Sequence, residues 1–201
     1  MLASLTGEER ARAGRFLKLP DGVRWARARG VLRSLLGAYL DASPRTLVFT
    51  TGERGKPRLA GRPGRRPLCF NLSHSGTLAL FAFARDAVGV DVEVDRRPID
   101  ETALAARAFE PRTARTIAEL DPRERRLAFL RAWARHEAVL KCRGADILDV
   151  RQARAPCEGA GHARPDDPWV GELAVEMSAG AALASAAAPR RLRCWTWAPM
   201  M

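Results

Sequence analysis

An alternation of apolar and polar residues marks the segment 88–95, which reads Val-Gly-Val-Asp-Val-Glu-Val-Asp. A period of two predicts a β-strand with one buried face. Because alternate side chains of a strand share a face, we expect its valines to pack inward and Asp91 and Glu93 to emerge side by side on the opposite face. On its own, this acidic face is typical of ordinary solvated surface.

Two further strands are predicted just before this one. Residues 77–84 read Thr-Leu-Ala-Leu-Phe-Ala-Phe-Ala, which indicates a central, buried strand. The strand before that starts near Leu68 and runs into the polar turn Ser73-His74-Ser75-Gly76. We therefore predict that Ser73-His74 and the pair Asp91/Glu93 flank one buried hairpin.

Apolar residues at helical spacing predict two long helices. The first covers about Val23 to Leu40 and follows a short basic helix over 8–19, which we expect to end at the breaker Pro20-Asp21-Gly22. The second begins at an N-cap, Asp121, and ends at Gly144.

Weaker patterns predict the remaining elements. These are helices over 99–109 and 111–119, strands over 46–50, 146–150, 169–177 and 191–197, and a Gly- and Pro-rich loop over 153–168. Residues 180–188 resemble residues 76–84 in the spacing of their glycine, alanine and leucine residues. An internal duplication would produce this similarity, and so would chance similarity in an alanine-rich segment of low complexity.

The composition of the 201 residues, 47% hydrophobic and 28% charged, is typical of a soluble globular protein with one domain or two small halves. The chain start lacks the basic region of a signal peptide, and no apolar run approaches the ~18 residues of a membrane span. Four scattered cysteines without a C-x-x-C pair predict reduced thiols and no structural zinc site. We therefore expect a cytoplasmic protein.

The net charge of +11 predicts an anionic partner: nucleic acid, a phosphate-rich cofactor or an acidic protein. A low aromatic content of 6% and the lack of a recognised binding motif argue against nucleic acid. Only Lys18, Lys56 and Lys141 are lysines among 34 basic residues. Either chance accounts for them, or each marks a position that needs a compact ammonium rather than a planar guanidinium.

Two catalytic patterns are set aside. The segment 52–59 superficially resembles a P-loop, but it lacks the G-x-x-x-x-G-K-[ST] spacing and Pro57 follows its lysine. Its lysine can still reach a phosphate, and a surface hairpin is the alternative. Ser73-His74-Ser75 lacks the G-x-S-x-G elbow of serine hydrolases and has no assigned third partner.

Trp133, Glu137 and Lys141 fall at i, i+4 and i+8 of the second long helix and so share one face. The plain interpretation is an aromatic core anchor beside an exposed Glu–Lys pair. If instead this face meets Asp91 and Glu93 in space, the oxygen-only ligand set favours a hard cation such as Mg²⁺. Lysine and histidine around such a metal suit a pyrophosphate.

Four motifs occur in a fixed order along the chain. They are Gly55-Lys56-Pro57, Phe70-Asn71-Leu72-Ser73-His74-Ser75-Gly76, Gly89-Val90-Asp91-Val92-Glu93 and Trp133-x-x-His136-Glu137-Ala138-x-x-Lys141. Together they resemble the 4′-phosphopantetheinyl transferases of the surfactin-synthetase-activating type. Arg15-Phe16 and Arg24 stand at the family's spacing ahead of them, and the resemblance covers roughly residues 15 to 147.

The resemblance implies an α/β (α+β) fold of two similar halves related by a pseudo-twofold, which we assign to residues 1–96 and 97–201, with coenzyme A bound between them. It also implies a reaction: the phosphopantetheine arm of coenzyme A is transferred to a serine of an apo acyl or peptidyl carrier protein, and adenosine 3′,5′-bisphosphate is released. The carrier is expected to be acidic, which suits a +11 partner. We expect the chain to act as a monomer.

The resemblance further implies roles for individual residues. Asp91, Glu93 and Glu137 match an acidic Mg²⁺ site, Lys141 matches a lysine on the pyrophosphate, and Lys56, Ser73, His74 and Arg24 match residues around the 3′-phosphate and adenosine. In the mechanism that we hypothesise, Lys141 offsets charge on the leaving phosphate and Glu137 is the general base for the carrier serine. Asp95 matches no motif and is predicted to be surface.

His136 departs from the family, which has lysine at this position. A group that titrates near neutrality thus replaces a fixed positive charge. If that lysine serves cofactor binding or carrier contact, activity should weaken or become pH-dependent; otherwise His136 is harmless surface. A non-catalytic relative that binds coenzyme A or a carrier is therefore one alternative, and a basic nucleic-acid-binding protein is a less favoured one.

Overall fold

The protein is described by a computed structural model over residues 2–52, 56–60, 68–96, 98–145, 160–163, 166–175 and 178–197. Its internal contacts divide the chain into two compact units. The smaller unit consists of residues 1–50, 59–61 and 192–201, and the larger unit consists of residues 51–58 and 62–191. The halves 1–96 and 97–201 rest on a pseudo-twofold and not on contacts, so they stay a prediction.

The smaller unit is built on two helices. These are α1 (Gly7–Gly14) and α2 (Leu19–Leu40), accompanied by short 3-10 helices at Leu2–Ser4 and Pro44–Thr46. Thr6 caps α1 through a reciprocal capping box with Glu9. The buried Glu9 carboxylate also accepts hydrogen bonds from Arg29 at 2.5 Å and Arg33 at 2.6 Å, which joins α1 to α2.

The start of α2 differs from the prediction. The basic helix ends at Gly14 instead of residue 19, and Pro20-Asp21-Gly22 lies in the first turn of α2 rather than between two helices. Proline is tolerated there because its missing N–H would have no partner in a first turn. Gly22 lies so close to the Ala13 carbonyl that a Cβ would collide with it, so this glycine serves packing and does not break the helix.

The larger unit combines strands with helices, and the predicted α/β class is confirmed. The strands of the chain are β1 (Phe49–Thr51), β2 (Pro57–Leu59), β3 (Cys69–Ser75), β4 (Leu78–Ala84), β5 (Val88–Val94), β6 (Trp169–Glu172) and β7 (Ala179–Ser185). The remaining helices are α3 (Glu101–Ala108), α4 (Pro111–Glu119) and α5 (Pro122–Arg143). β3 pairs with β4, and β5, β7 and β6 form an antiparallel sheet in that order.

The two faces of β5 pack against different partners. Val88 and Val90 contact Ala82 of β4 and Leu183 of β7 in one apolar cluster. The other face, which starts with Gly89, is covered by α5. The face that carries Asp91 and Glu93 is therefore not open surface but an interface with a helix.

Helix α5 rests directly on the sheet because two positions lack a side chain. A Cβ on Gly89 would collide with the Ala138 carbonyl and the Cys142 amide, and a Cβ on Gly180 would collide with the backbone of Leu130 and Arg131. A glycine in a strand interior permits such a close approach of another backbone. The helix thus contacts both β5 and β7.

Side chains of β3 hold that strand beside β5. The Asn71 Oδ1 atom accepts a hydrogen bond from the Val90 amide at 2.8 Å, and Ser75 Oγ accepts one from the Val94 amide at 3.2 Å. Alternate β3 side chains therefore point at β5, and Ser73 lies between the two bonded positions.

Several weaker predictions have mixed outcomes. Residues 191–197, which all lie in the described part of the chain, form no strand, and the exposed Trp195 (71%) lacks the packed face that a strand needs. The strand predicted over 169–177 ends at Glu172, and that predicted over 46–50 begins only at Phe49. Residues 146–150 lie outside the described residues. Within those residues, no helix is long and apolar enough to cross a membrane.

Candidate active site

The acidic face of β5 meets the C-terminal half of α5. Asp91 is 2% exposed and Glu137 of α5 is 7% exposed, while Glu93 is half-buried. Three carboxyl groups from two elements are thereby brought together: the charge of Asp91 raises the pKa of Glu93, and the charges of Asp91 and Glu93 raise that of Glu137. The interpretation of Asp91 as solvated surface is wrong, because α5 covers it.

Lys141 supplies the positive charge at this interface. Its ammonium donates to Asp91 Oδ1 at 2.5 Å and to Ser73 Oγ at 3.1 Å, and the Ser73 hydroxyl in turn donates to Asp91 Oδ1 at 2.7 Å. Burial raises the pKa of Asp91, and the charge of Lys141 counteracts that rise. The prediction of an exposed Glu–Lys pair on α5 is therefore wrong, since Lys141 pairs with β5 and Glu137 is buried.

Glu137 has the most perturbed acidity of the site. Burial raises the pKa of Glu137 to about 7, the charges of Asp91 and Glu93 add to the rise, and Lys141 opposes it. Such a carboxyl group is divided between its neutral and charged forms at neutral pH, which suits proton transfer.

Glu93 occupies the outer end of the acidic face. Its carboxylate accepts a hydrogen bond from Ser75 Oγ at 3.4 Å, and burial together with the charge of Asp91 raises the pKa of Glu93. The charge of Arg96 acts in the opposite direction. Glu93 is thus the carboxyl group of this cluster with the greatest access to solvent.

The donor set fits a hard divalent cation. Asp91 Oδ2 and Glu137 Oε1 are buried, and the described residues give neither oxygen a hydrogen-bond partner. Unpaired buried carboxylate oxygens are costly unless a cation or a proton joins them. The described residues include no preformed group of three His, Cys, Asp or Glu at metal-binding distances. Two protein carboxylates completed by phosphate oxygens and water are nevertheless the usual pattern for Mg²⁺.

Other predicted site residues lie in different environments. Ser73 is buried beside Asp91, whereas His74 is exposed, because neighbouring residues of a strand point to opposite faces. The Lys56 ammonium donates to the backbone carbonyls of Val88 and Lys141. Arg24 belongs to the smaller unit, where its half-exposed side chain pairs with Asp21. Contacts of His74, Lys56 and Arg24 with a cofactor stay predictions.

His136 is not on the surface. It is 3% exposed and packs against the rings of Phe109 and Trp133, with centroid distances of 5.8 and 6.3 Å. The alternative that His136 is harmless surface is therefore wrong. Asp95, in contrast, has a 51% exposed side chain that pairs with Arg126 at 2.8 Å, in agreement with its prediction as surface.

Sequence reasoning missed two contributors to the site. Ser75 bridges Glu93 and the backbone of β5, although the sequence analysis assigns it no role within its motif. Arg96 lies against the turn after β3, in the space that a Cβ on Gly76 would need, and Gly76 has a positive φ of 67°. A basic residue directly after an acidic strand was the available signal for Arg96.

Comparison with known proteins adds an independent observation. A family model described as the 4′-phosphopantetheinyl transferase superfamily matches residues 87–172. The chain is 38% identical over 165 residues to the 4′-phosphopantetheinyl transferase HetI of Nostoc sp., covering 80% of this chain and 69% of HetI. It is 35% identical over 141 residues to the 4′-phosphopantetheinyl transferase AcpT of Salmonella typhimurium, covering 66% of this chain and 70% of AcpT. Identity to Sfp of Bacillus subtilis is 27%, over 62% of Sfp.

Proposed function

The chain belongs to the 4′-phosphopantetheinyl transferase superfamily. We propose that it transfers the phosphopantetheine arm of coenzyme A to a serine of an apo acyl or peptidyl carrier protein, and that the carboxyl groups at the α5–β5 interface take part in this reaction. Adenosine 3′,5′-bisphosphate is the second product. The observation that carries the proposal is the meeting of Asp91, Glu93 and Glu137 with one lysine, Lys141, at the α5–β5 interface.

Asp91, Glu93 and Glu137 would hold Mg²⁺ against the pyrophosphate of coenzyme A. When bound there, the cation supplies charge neutralisation and polarisation of phosphate oxygens. Two buried carboxylate oxygens support this assignment, one on Asp91 and one on Glu137. The described residues offer neither of them a hydrogen-bond partner.

Glu137 acts as the general base in the proposed reaction. The carrier serine forms a bond from its oxygen to the β-phosphorus of coenzyme A, and its proton passes to the Glu137 carboxylate, directly or through a water molecule. The bond from that phosphorus to the bridging oxygen breaks, and adenosine 3′,5′-bisphosphate leaves with the electron pair. The position of Glu137 at the buried α5–β5 interface, one helical turn before Lys141, supports this role.

Lys141 assists the leaving group. Its ammonium lies on the same face of α5 as Glu137, one turn further along the helix, and can offset the negative charge that develops on the departing phosphate. Ser73, His74 and Arg24 are proposed to contribute to binding the adenosine and 3′-phosphate end of coenzyme A. Lys56 is not included, because its ammonium donates to two backbone carbonyls of the protein.

The carrier partner is proposed to be acidic. A net charge of +11 accelerates the association of oppositely charged proteins, and this acceleration weakens as salt is added. We further propose that the chain works as a monomer in the cytoplasm, where scattered cysteines remain reduced.

The proposal is tested by incubating the full chain with coenzyme A, Mg²⁺ and several apo carrier proteins and measuring the mass of each carrier. We expect at least one carrier to gain the mass of phosphopantetheine. The second candidate function is a non-catalytic relative that binds coenzyme A, and the departure at His136 favours it. Binding of coenzyme A with no mass change in any carrier would establish that alternative.

A further inference from the structure

We propose that Lys56 is a positioning residue that fixes the C-terminal end of α5 against the first residue of β5. Its ammonium donates to the Val88 carbonyl at 3.1 Å and to the Lys141 carbonyl at 2.5 Å, and these two hydrogen bonds are called the Lys56 clamp below. The clamp joins the strand that carries Asp91 to the helix that carries Glu137. This inference rests on the proposed transferase function and differs from it in assigning Lys56 to the protein's own backbone rather than to the 3′-phosphate.

The Lys141 carbonyl can accept such a hydrogen bond at the end of the helix. It is among the last four carbonyls of α5, which ends at Arg143 and therefore offers no i+4 amide within the helix. The Gly144 amide approaches this carbonyl at 3.3 Å, and the ammonium supplies a second, shorter hydrogen bond. A cation near a helix C-terminus also interacts favourably with the helix dipole.

The donors of Lys56 are largely committed to these contacts. An ammonium has three N–H donors, and two of them are used by the carbonyls of Val88 and Lys141. Lys56 is partly buried, and burial lowers its pKa, which is the expected effect of removing an ammonium from water. A phosphate would have to compete with two backbone carbonyls for the remaining capacity of this group.

The position of the Lys56 clamp explains why it matters to the site. Val88 precedes Gly89, whose missing side chain lets α5 approach, and Asp91 follows two residues later. On the helix, Lys141 contributes its carbonyl to Lys56 and its ammonium to Asp91. If the clamp is lost, both the Lys141 ammonium and the Glu137 carboxylate can shift relative to β5.

The decisive experiment compares two phosphopantetheine donors, coenzyme A and 3′-dephospho-coenzyme A. The variant is Lys56→Met, and the matched control is Arg58→Met, which removes the same charge from an exposed position of β2. We expect Lys56→Met to lower kcat by about 10- to 100-fold with both donors, because small displacements of catalytic groups have effects of this size. The ratio of KM values for the two donors should equal that of the wild-type chain, and Arg58→Met should leave kcat unchanged.

A loss confined to coenzyme A, so that the variant no longer distinguishes the two donors, would overturn the proposal and assign Lys56 to the 3′-phosphate. An unchanged kcat would also overturn it. Each rate is divided by the folded fraction of the variant, which circular dichroism measures. If Lys56→Met lowers only the folded fraction and the corrected rate equals that of wild type, the role of Lys56 is purely structural and the proposal is overturned. If the wild-type chain transfers nothing from either donor, the proposed function fails instead.

A second measurement uses the wild-type chain and therefore does not depend on whether a variant folds. The chain has only three lysines, so labelling lysine Nζ with ¹⁵N gives three ammonium signals. We expect the Lys56 signal to respond equally to adenosine 3′,5′-bisphosphate and to adenosine 5′-phosphate, each at a concentration that inhibits transfer. A shift produced only by the ligand with the 3′-phosphate would contradict the clamp.

Discussion

The Lys141 ammonium and the Asp91 carboxylate form an ion pair of 2.5 Å across the α5–β5 interface. Asp91 is almost fully buried, whereas the Lys141 side chain is 29% exposed. Lys141 therefore serves as the internal counter-ion of a carboxylate that water cannot reach.

Removing this counter-ion should destabilise the fold. We expect Lys141→Met to lower the free energy of unfolding by roughly 2–4 kcal/mol, because it leaves a buried carboxylate without its partner. The double variant Lys141→Met/Asp91→Asn should recover part of this loss. Urea unfolding at pH 7 provides the measurement, and Lys18→Met, at an exposed position, is the control. Equal losses in the single and double variants would show that Asp91 does not depend on Lys141.

Glu137 should make the metal-free protein less stable as the pH rises. Its folded pKa of about 7 lies above the ordinary value of 4.5, so the folded state holds the proton more tightly. Between pH 4.5 and 7 the folded state therefore binds more protons than the unfolded state, and stability falls with increasing pH, by up to about 3 kcal/mol. Wild type and Glu137→Gln are compared by urea unfolding at pH 5 and pH 8. The free energy of unfolding of Glu137→Gln, relative to that of wild type, should be higher at pH 8 than at pH 5. A difference that does not depend on pH would contradict the raised pKa.

Mg²⁺ should stabilise the protein through the acidic cluster. At fixed coenzyme A, added Mg²⁺ is expected to raise the free energy of unfolding by up to about 3 kcal/mol at a hundredfold excess over its dissociation constant. Asp91→Asn should abolish this response. Asp95→Asn removes an exposed carboxylate directly after β5 and should retain this response. A response that survives in Asp91→Asn would place the cation elsewhere.

Transfer should depend on the Glu137 carboxylate. We expect Glu137→Gln to lower kcat by about 10²- to 10⁴-fold, the range typical of a lost general base. Glu124→Gln, at an exposed position in the first turn of the same helix, is the matched control and should keep its activity. The mass of the carrier after timed incubation gives both rates. Near-normal turnover of Glu137→Gln would remove this residue from the proposed role.

Restoring the family's lysine in the variant His136→Lys should lower the stability of the fold. The imidazole is packed between Phe109 and Trp133, so the longer, charged side chain would have to bury its ammonium there or open the packing. A loss of about 1–3 kcal/mol is expected, with Arg131→Lys at an exposed position of α5 as the control. Thermal unfolding measures the loss, and transfer rates from pH 6 to 8 show whether the histidine limits activity. Unchanged stability would mean that the introduced side chain can turn outward.

The elements with a strong local pattern could be predicted from sequence. The alternation of Val88–Val94 and the cap of Asp121 both act within a few residues, and the strand and the helix formed as expected. The α2 boundary failed because Pro20 has two roles, as a breaker inside a helix and as a tolerated residue in its first turn. Only the packing of α1 on Gly22 decides between them.

The candidate site was predictable in its residues but not in its contacts. The motifs singled out Asp91, Glu93 and Glu137 without showing that the contact between α5 and β5 buries Asp91 and Glu137. The burial of Asp91 depends on Gly89, which allows the backbone of α5 to approach β5. The sequence alone does not show that a helix backbone lies against this glycine. Likewise, Lys56 and Lys141 are 85 residues apart in sequence, and no local pattern indicates that one donates to the other's carbonyl.

Gly89 and Gly180 have a consequence for how this site can vary. Neither residue carries a functional group, yet each removes a methyl-sized obstacle between α5 and the sheet. An alanine at either position would act as a wedge that tilts the helix away from β5 or β7. Because Coulomb energies depend on separation, such a tilt would weaken every interaction across the interface together, whereas a change at one carboxylate removes only its own. The two glycines therefore set the strength of the whole acid–base arrangement through distance alone.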